Sequence, residues 1–215
     1  MIKFHQQSGF SLVETLVAIS LLLIMIVGPM AISAKTAKST SFASEQVQAF
    51  FLAQEGLELA QKARDDYQLR MFLDTASPNY LADPWSDFTD DTAGAFRNCF
   101  KSTGCGLWWA DGAGSDGKLK TFAGTLGKDC PFPASCKLYI NSADVRNKFN
   151  NTTSTAGVAN EVTPFSRVIH FSSDPADMGR EIKVTSTVTW RTGSLVADQK
   201  VELSTYLFNT NYEAN

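Results

Sequence analysis

The chain has 215 residues, of which 44 % are hydrophobic and 19 % charged, with a formal net charge of -3. That length holds one domain and an appendage, and the composition excludes both wholesale disorder and the polybasic balance of a general nucleic-acid binder. A mean hydropathy of -0.11 would suit a soluble protein, but the apolar residues crowd towards one end.

Residues 1–9, MIKFHQQSG, form a short polar leader carrying Lys3 and the terminal amine. Phe10 to Ile32 then reads FSLVETLVAISLLLIMIVGPMAI, with Glu14 its sole ionisable side chain. A helix rising about 1.5 Å per residue would carry this run across a hydrocarbon core of about 30 Å. Basic charge on the leader favours a cytoplasmic N-terminus and export of the rest, although Lys35 and Lys38 reduce the asymmetry. A cleaved secretory signal, with a small-residue site such as Ala31-Ile32-Ser33 before Ala34, is one reading, and a plain membrane anchor is another. Neither accounts for Glu14. A carboxylate this close to the start of an apolar helix is costly in lipid and calls for a partner. A cut between Gly9 and Phe10 would create one, because the new amine of Phe10 would lie about one helical turn from Glu14. The amine of the same or a neighbouring subunit could then neutralise the carboxylate where water is excluded.

Gly9, the following Phe10-Ser11-Leu12-Val13-Glu14 and the apolar run resemble the prepilin signature of type IV pilins and type II secretion pseudopilins. The stretch Phe10 to Ile19 is similar to minor subunits of such filaments. The resemblance implies cleavage after Gly9 by a prepilin peptidase, N-methylation of Phe10, and a role for Glu14 in assembly. It implies a pilin-like α+β fold, in which the first half of a long N-terminal helix spans the membrane and the second half packs on a C-terminal antiparallel sheet of about four strands. The implied partners are the peptidase, other pilin or pseudopilin subunits, a membrane assembly platform, and the lipid bilayer before assembly. No nucleic acid is expected. The corresponding organisation is a leader at 1–9, a transmembrane and filament-core helix at 10–34, an amphipathic continuation at 35–71, and a head at 72–215. Gly28-Pro29 lies inside the apolar run, where proline removes a donor and kinks or locally melts a helix. In the family such melting accompanies packing into filaments; a tolerated kink is the plainer alternative.

Helical periodicity continues to about Met71. Ala49, Ala53, Gly56, Ala60, Ala63 and Tyr67 recur at spacings of four and three, a seam of mostly small residues beside Phe50 and Leu57. Such a seam lets another element approach closely, and the protein's own sheet is the expected one. Joined to the membrane run, the helix would have some 60 residues and measure on the order of 90 Å. Pro78 and Pro84 end the pattern.

From Met71 to Lys137 no period is sustained, so an elaborated loop region is expected at 72–136. The antiparallel strands are expected within 137–208, at Lys137 to Asn141, Arg167 to Ser172, Ile182 to Trp190 and Val196 to Phe208. Ile182, Val184, Ser186, Val188 and Trp190 alternate with Lys183 and three threonines, and Thr192-Gly193-Ser194 marks a hairpin turn. Asn141 to Pro164 is read as a second polar insertion; the N-x-Thr patterns at Asn150 and Asn151 carry no function.

Cys99, Cys105, Cys130 and Cys136 have five intervening residues in each pair, unlike structural zinc sites. Export makes disulfides the expected state. Short loops favour Cys99 with Cys105 and Cys130 with Cys136, with crossed or nested pairings open. Gly112 to Lys118 (GAGSDGK) imitates a phosphate-binding loop, but Leu119 replaces the magnesium-ligating hydroxyl and Asp116 would repel phosphate. Asp111 with Asp116, or the run Asp83, Asp87, Asp90 and Asp91, admits calcium through oxygen ligands; a solvated acidic loop is the plainer reading. His170 is the one imidazole outside the leader, with no nucleophile or carboxylate motif beside it. Trp108-Trp109 suits either a packed pair or a contact for a partner or carbohydrate. The expectation is a structural subunit with no catalytic site, metal or cofactor, held by one membrane pass with its head exported. A filament-tip binding subunit and a signal-anchored exported enzyme are the alternatives.

Overall fold

The computed structural model describes residues 9, 11–73, 75–77, 79–107, 128–129, 136–140, 149–150, 154–155, 158–174, 177, 179–191 and 198–211. The chain divides into two compact units, Met1–Ser44 and Glu45–Asn215, and the helix α1 (Leu12–Leu69) contributes to both.

In the second unit α1 continues into a 3-10 turn, Arg70–Phe72, and ends at Leu73, whose backbone is extended. The helix therefore stops before Pro78, a residue outside those described. The expected seam is the buried one: Ala49, Ala53, Gly56, Ala60, Ala63 and Tyr67 are buried, joined by Leu52. Phe50, beside the seam in sequence, is exposed.

Among the described residues nine strands are assigned: β1 (Cys105–Gly106), β2 (Lys128–Asp129), β3 (Lys137–Ile140), β4 (Phe149–Asn150), β5 (Ser154–Thr155), β6 (Val158–Ala159), β7 (Glu161–Ser172), β8 (Glu181–Trp190) and β9 (Gln199–Phe208). Seven form one antiparallel sheet, and β5 with β6 makes a separate two-stranded pair. The four longer strands of the sheet are the expected ones; β1, β2 and β4 add two residues each. The central strand β7 has β8 along one side, with β9 beyond it. It also pairs with β3 near its start and β1 near its end, flanked in turn by β4 and β2.

Two sequence expectations need correction. Glu161 to Pro164, read as part of a polar insertion, belongs to β7. Proline cannot donate to a ladder and argues against a strand, but β3 and β7 change register between Lys137 and Tyr139. There the Thr163 hydroxyl donates to the Leu138 carbonyl at 2.7 Å and accepts from the Phe165 N–H at 3.2 Å. A side chain thus supplies the hydrogen bonding that a regular ladder would have provided. The region read as an elaborated loop, 72–136, also contains two short helices, α2 (Pro84–Thr89) and α3 (Arg97–Phe100). Pro84 stands at the start of α2, where its missing N–H is harmless, and the Asp83 side chain accepts from the Ser86 N–H at 3.1 Å as the cap.

Helix α2 delivers Trp85 and Phe88 to the core, and Phe96, the residue before α3, joins them. Phe88 and Phe96 have ring centroids 5.0 Å apart, and each contacts both Tyr67 of α1 and Phe171 of β7. Strand β8 buries Ile182, Val184, Ser186, Val188 and Trp190, the inward row that its alternation predicts. At Gly56 α1 lies close against the sheet. A Cβ there would lie 2.7 Å from Ile169 Cδ1 and would overlap Ser186 Oγ, so any larger residue must displace these side chains.

Candidate assembly segment and head sites

Gly9 is exposed, and a Cβ added to it would meet nothing within 4 Å. Packing therefore does not demand glycine there. Phe10 lies outside the described residues. The first turn of α1 forms as the Thr15 N–H donates to the Ser11 carbonyl at 3.1 Å. Glu14 sits in that turn, where unpaired N–H groups and the helix dipole favour a negative charge.

The apolar run is exposed on every side. Leu12, Val13, Leu16 and every residue to Ile32 are solvent-facing in the isolated chain, and an 18-residue window reaches a mean hydropathy of 2.5 with none of it buried. No face is set aside for the protein's own core. The hydroxyls within the run satisfy themselves: Thr15 donates to the Leu12 carbonyl at 2.9 Å and Ser20 to the Val17 carbonyl at 2.8 Å. Such bonds make hydroxyls tolerable in lipid. Glu14 has no corresponding partner among the described residues. Helical structure continues through Pro29, so in the isolated chain the proline is tolerated, the plainer of the two readings; it removes one donor, and the flanking turns hold.

In the head, Cys99 and Cys105 form a disulfide that joins α3 to β1, with both residues fully buried. Between them Gly104 has a φ of 67°, and a side chain there would press on Val168 and the Ile169 carbonyl. Cys136 is also disulfide-bonded; Cys130, its expected partner, lies outside the described residues. Trp108-Trp109, Asp111, Asp116, the Gly112 to Lys118 segment, Asn151 and the Thr192-Gly193-Ser194 turn lie outside them too.

The acidic run has local structural duties. Asp83 caps α2, and Asp90 accepts from the N–H groups of Thr92 and Ala93, both at 2.9 Å, and from the Thr92 hydroxyl at 2.7 Å. Those bonds, led by the hydroxyl, lower the Asp90 carboxyl to a pKa of about 2. Partial burial, reinforced by Asp83 and Asp90, shifts Asp87 the other way. Among the described residues no three His, Cys, Asp or Glu side chains converge as a metal site would require. His170 is half-buried on β7 opposite Thr185. An open cavity of about 410 Å³ near the turn into β8 is lined by Asp174, Asp177, Glu181, Lys183 and Tyr206.

The most conspicuous polar feature of the head was not singled out in the sequence. Arg167 lies in the inward row of β7, its side chain 0 % exposed. Nη1 donates to the Leu52 carbonyl at 3.1 Å and to Glu55 Oε2 at 2.8 Å, both on α1, and Nη2 donates to the Leu107 carbonyl at 3.0 Å. A single guanidinium thus fastens the helix, the sheet and the chain after β1. The available signal was a charged residue inside the apolar alternation Phe165, Ile169, Phe171, for which burial requires a partner.

Residues 4–28 match the family model of the prokaryotic N-terminal methylation motif, the prepilin-type motif of type IV pilins and pseudopilins. With a long N-terminal helix packed on an antiparallel sheet, the chain has a pilin-like α+β layout. The motif and the apolar helix fit membrane anchoring, and the motif implies cleavage by a peptidase and assembly with other pilins in general. No curated protein and no solved structure matches the chain.

Proposed function

We propose that this protein is a minor type IV pilin or pseudopilin, a structural subunit of a pilus or type II secretion-type filament. It enters the cytoplasmic membrane with its N-terminus inside and its head exported. Prepilin peptidase cuts after Gly9, and the new terminus at Phe10 is N-methylated. The subunit then leaves the bilayer through an assembly platform and packs α1 among its neighbours, with Glu14 neutralised by a terminal amine. The head has no catalytic role and needs no resident metal or cofactor in this reading.

The observation that carries it is the combination of the matched motif with an apolar helix that buries none of its first 21 residues in its own fold. Such a surface needs lipid before assembly and other helices after it. A glycine that packing does not require, three residues ahead of the helix, is what recognition by a peptidase would select. Mass spectrometry of the mature N-terminus is the test. Methylated Phe10 is the expected terminus; Ala34 would mean an ordinary signal peptide and end the filament reading. Glu14→Ala is expected to be cleaved normally yet incorporated poorly into filaments, and normal incorporation would remove the role assigned to the carboxylate.

A further inference from the structure

The face of the sheet turned away from the core carries a row of polar side chains. Ser172, Lys183 and Tyr206 stand side by side across β7, β8 and β9. Their neighbours along the strands, Phe171, Val184 and Leu207, are buried on the opposite face, as the alternation of a strand requires. With strands about 4.8 Å apart, the row spans about 10 Å. At the same end of the sheet the turn from β7 to β8 supplies Ser173, Asp174 and Asp177, and Glu181 begins β8; together these residues line the open cavity of about 410 Å³. That is the size of a small-ligand site. Among the described residues the side chains of Ser172, Ser173, Asp177, Glu181, Lys183 and Tyr206 make no hydrogen bond or ion pair, so their donors and acceptors are available to an occupant. The acidic run of the other loop differs, because Asp83 and Asp90 are committed to their own backbone.

The chemistry of the lining narrows the occupant. Among the described residues no three acidic side chains meet at one point, so these carboxylates do not form a cage for a metal ion. Lys183 stands among them and repels a simple cation, while the excess of carboxylate repels an anion. Tyr206 is 51 % exposed, and Phe208, two residues on along the same face, is 55 % exposed. A ligand with hydroxyls on its edge and C–H groups on its face meets all of these conditions. Carboxylates accept from the hydroxyls, the ammonium donates to their oxygens, and an aromatic ring covers the apolar face. We infer that this cavity binds a neutral saccharide, held at its hydroxyls by Asp177, Glu181 and Lys183 and at its apolar face by Tyr206. The site lies wholly within the second compact unit, so the inference goes beyond the filament reading and does not depend on it.

Saturation-transfer NMR titrations of the full chain in phosphatidylcholine nanodiscs test it, with glucose, galactose, mannose, N-acetylglucosamine, cellobiose and lactose as probes. At least one sugar should bind with a Kd on the order of 1–10 mM, as expected for a small ligand in an open site. Because the ligand is uncharged, that Kd should change by less than about twofold between about 20 mM and about 300 mM salt. Tyr206→Ala and Glu181→Gln should each weaken binding by about tenfold, the first through the lost ring and the second through the lost charge-assisted acceptor. Both positions lie on the outer face, so the variants should melt with the parent. Failure of every probe to bind below about 50 mM would overturn the inference. So would binding that both variants retain in full, which would place the sugar elsewhere on the chain. Tri-lysine is the charged control: if it binds more tightly than every sugar and is released by salt, the cavity is an electrostatic site and the saccharide assignment is wrong.

Discussion

Arg167 and Glu55 allow a quantitative test of how the head holds its helix. Glu55→Ala leaves the guanidinium enclosed, facing only the Leu52 and Leu107 carbonyls. Breaking a fully buried pair costs about 3–5 kcal/mol, and an exposed pair is worth about 0–1 kcal/mol. Because the Glu55 side chain is 38 % exposed, water replaces part of what it supplies, and a loss of about 2 kcal/mol is expected. Arg167→Met removes the charge altogether. Glu55 can then turn to solvent, and the Leu52 carbonyl still has its place in the helical ladder, so the loss should be smaller, about 1 kcal/mol. The double variant should resemble Arg167→Met, since among the described residues the Glu55 side chain bonds to Arg167 alone. For a unit of this size about 1 kcal/mol moves the melting temperature by about 2–4 °C. Near-ultraviolet circular dichroism of the detergent-solubilised chain should therefore show Glu55→Ala melting about 4–8 °C below the parent, and the other two variants about 2–4 °C below it. Additive losses in the double variant, or Arg167→Met melting well below Glu55→Ala, would refute the idea that the carboxylate's task is to compensate a buried charge.

Three further outcomes follow from the same structure. Gly56→Ala gains about 1 kcal/mol of helix propensity but drives a methyl into Ser186 and Ile169, so a net loss of about 1–2 kcal/mol is expected in the same melt; a stabilised variant would show that the layers are not in tight contact. Replacing Cys99 and Cys105 together by alanine removes a crosslink of sequence separation 6, with an expected loss of about 2 kcal/mol. Reductant should then no longer change the contribution of that loop to the melting temperature. Asp90 is bound more tightly as the carboxylate when folded, its pKa falling from 3.8 to about 2. Its contribution is therefore fully present above the unfolded value and is lost as pH falls from about 4 through about 2. Asp90→Asn should flatten that part of the stability profile, and an unchanged acid limb would exclude the turn as its source.

The features legible in the order of residues alone are local and periodic. The apolar run, the seam from Ala49 to Tyr67 and the alternation of β8 are visible because each repeats with the period of its element, 3.6 or 2 residues. The methylation motif matched at residues 4–28 was legible without a fold, since its residues are consecutive in the chain. The short separation of Cys99 and Cys105 made their pairing foreseeable in the same way. Features that depend on distant residues meeting emerge with the fold. Pro164 is admitted to a strand because Thr163 reaches the Leu138 carbonyl, 25 residues away in sequence. Trp85, Phe88 and Phe96 read as loop aromatics until Tyr67 and Phe171 are placed beside the last two. Arg167 reads as one more surface charge until Glu55 and the Leu52 carbonyl are found across the interface, 112 and 115 residues away. Periodicity says which side of an element is buried; it does not say which groups wait on the other side, and a buried charge is stable only because of those groups.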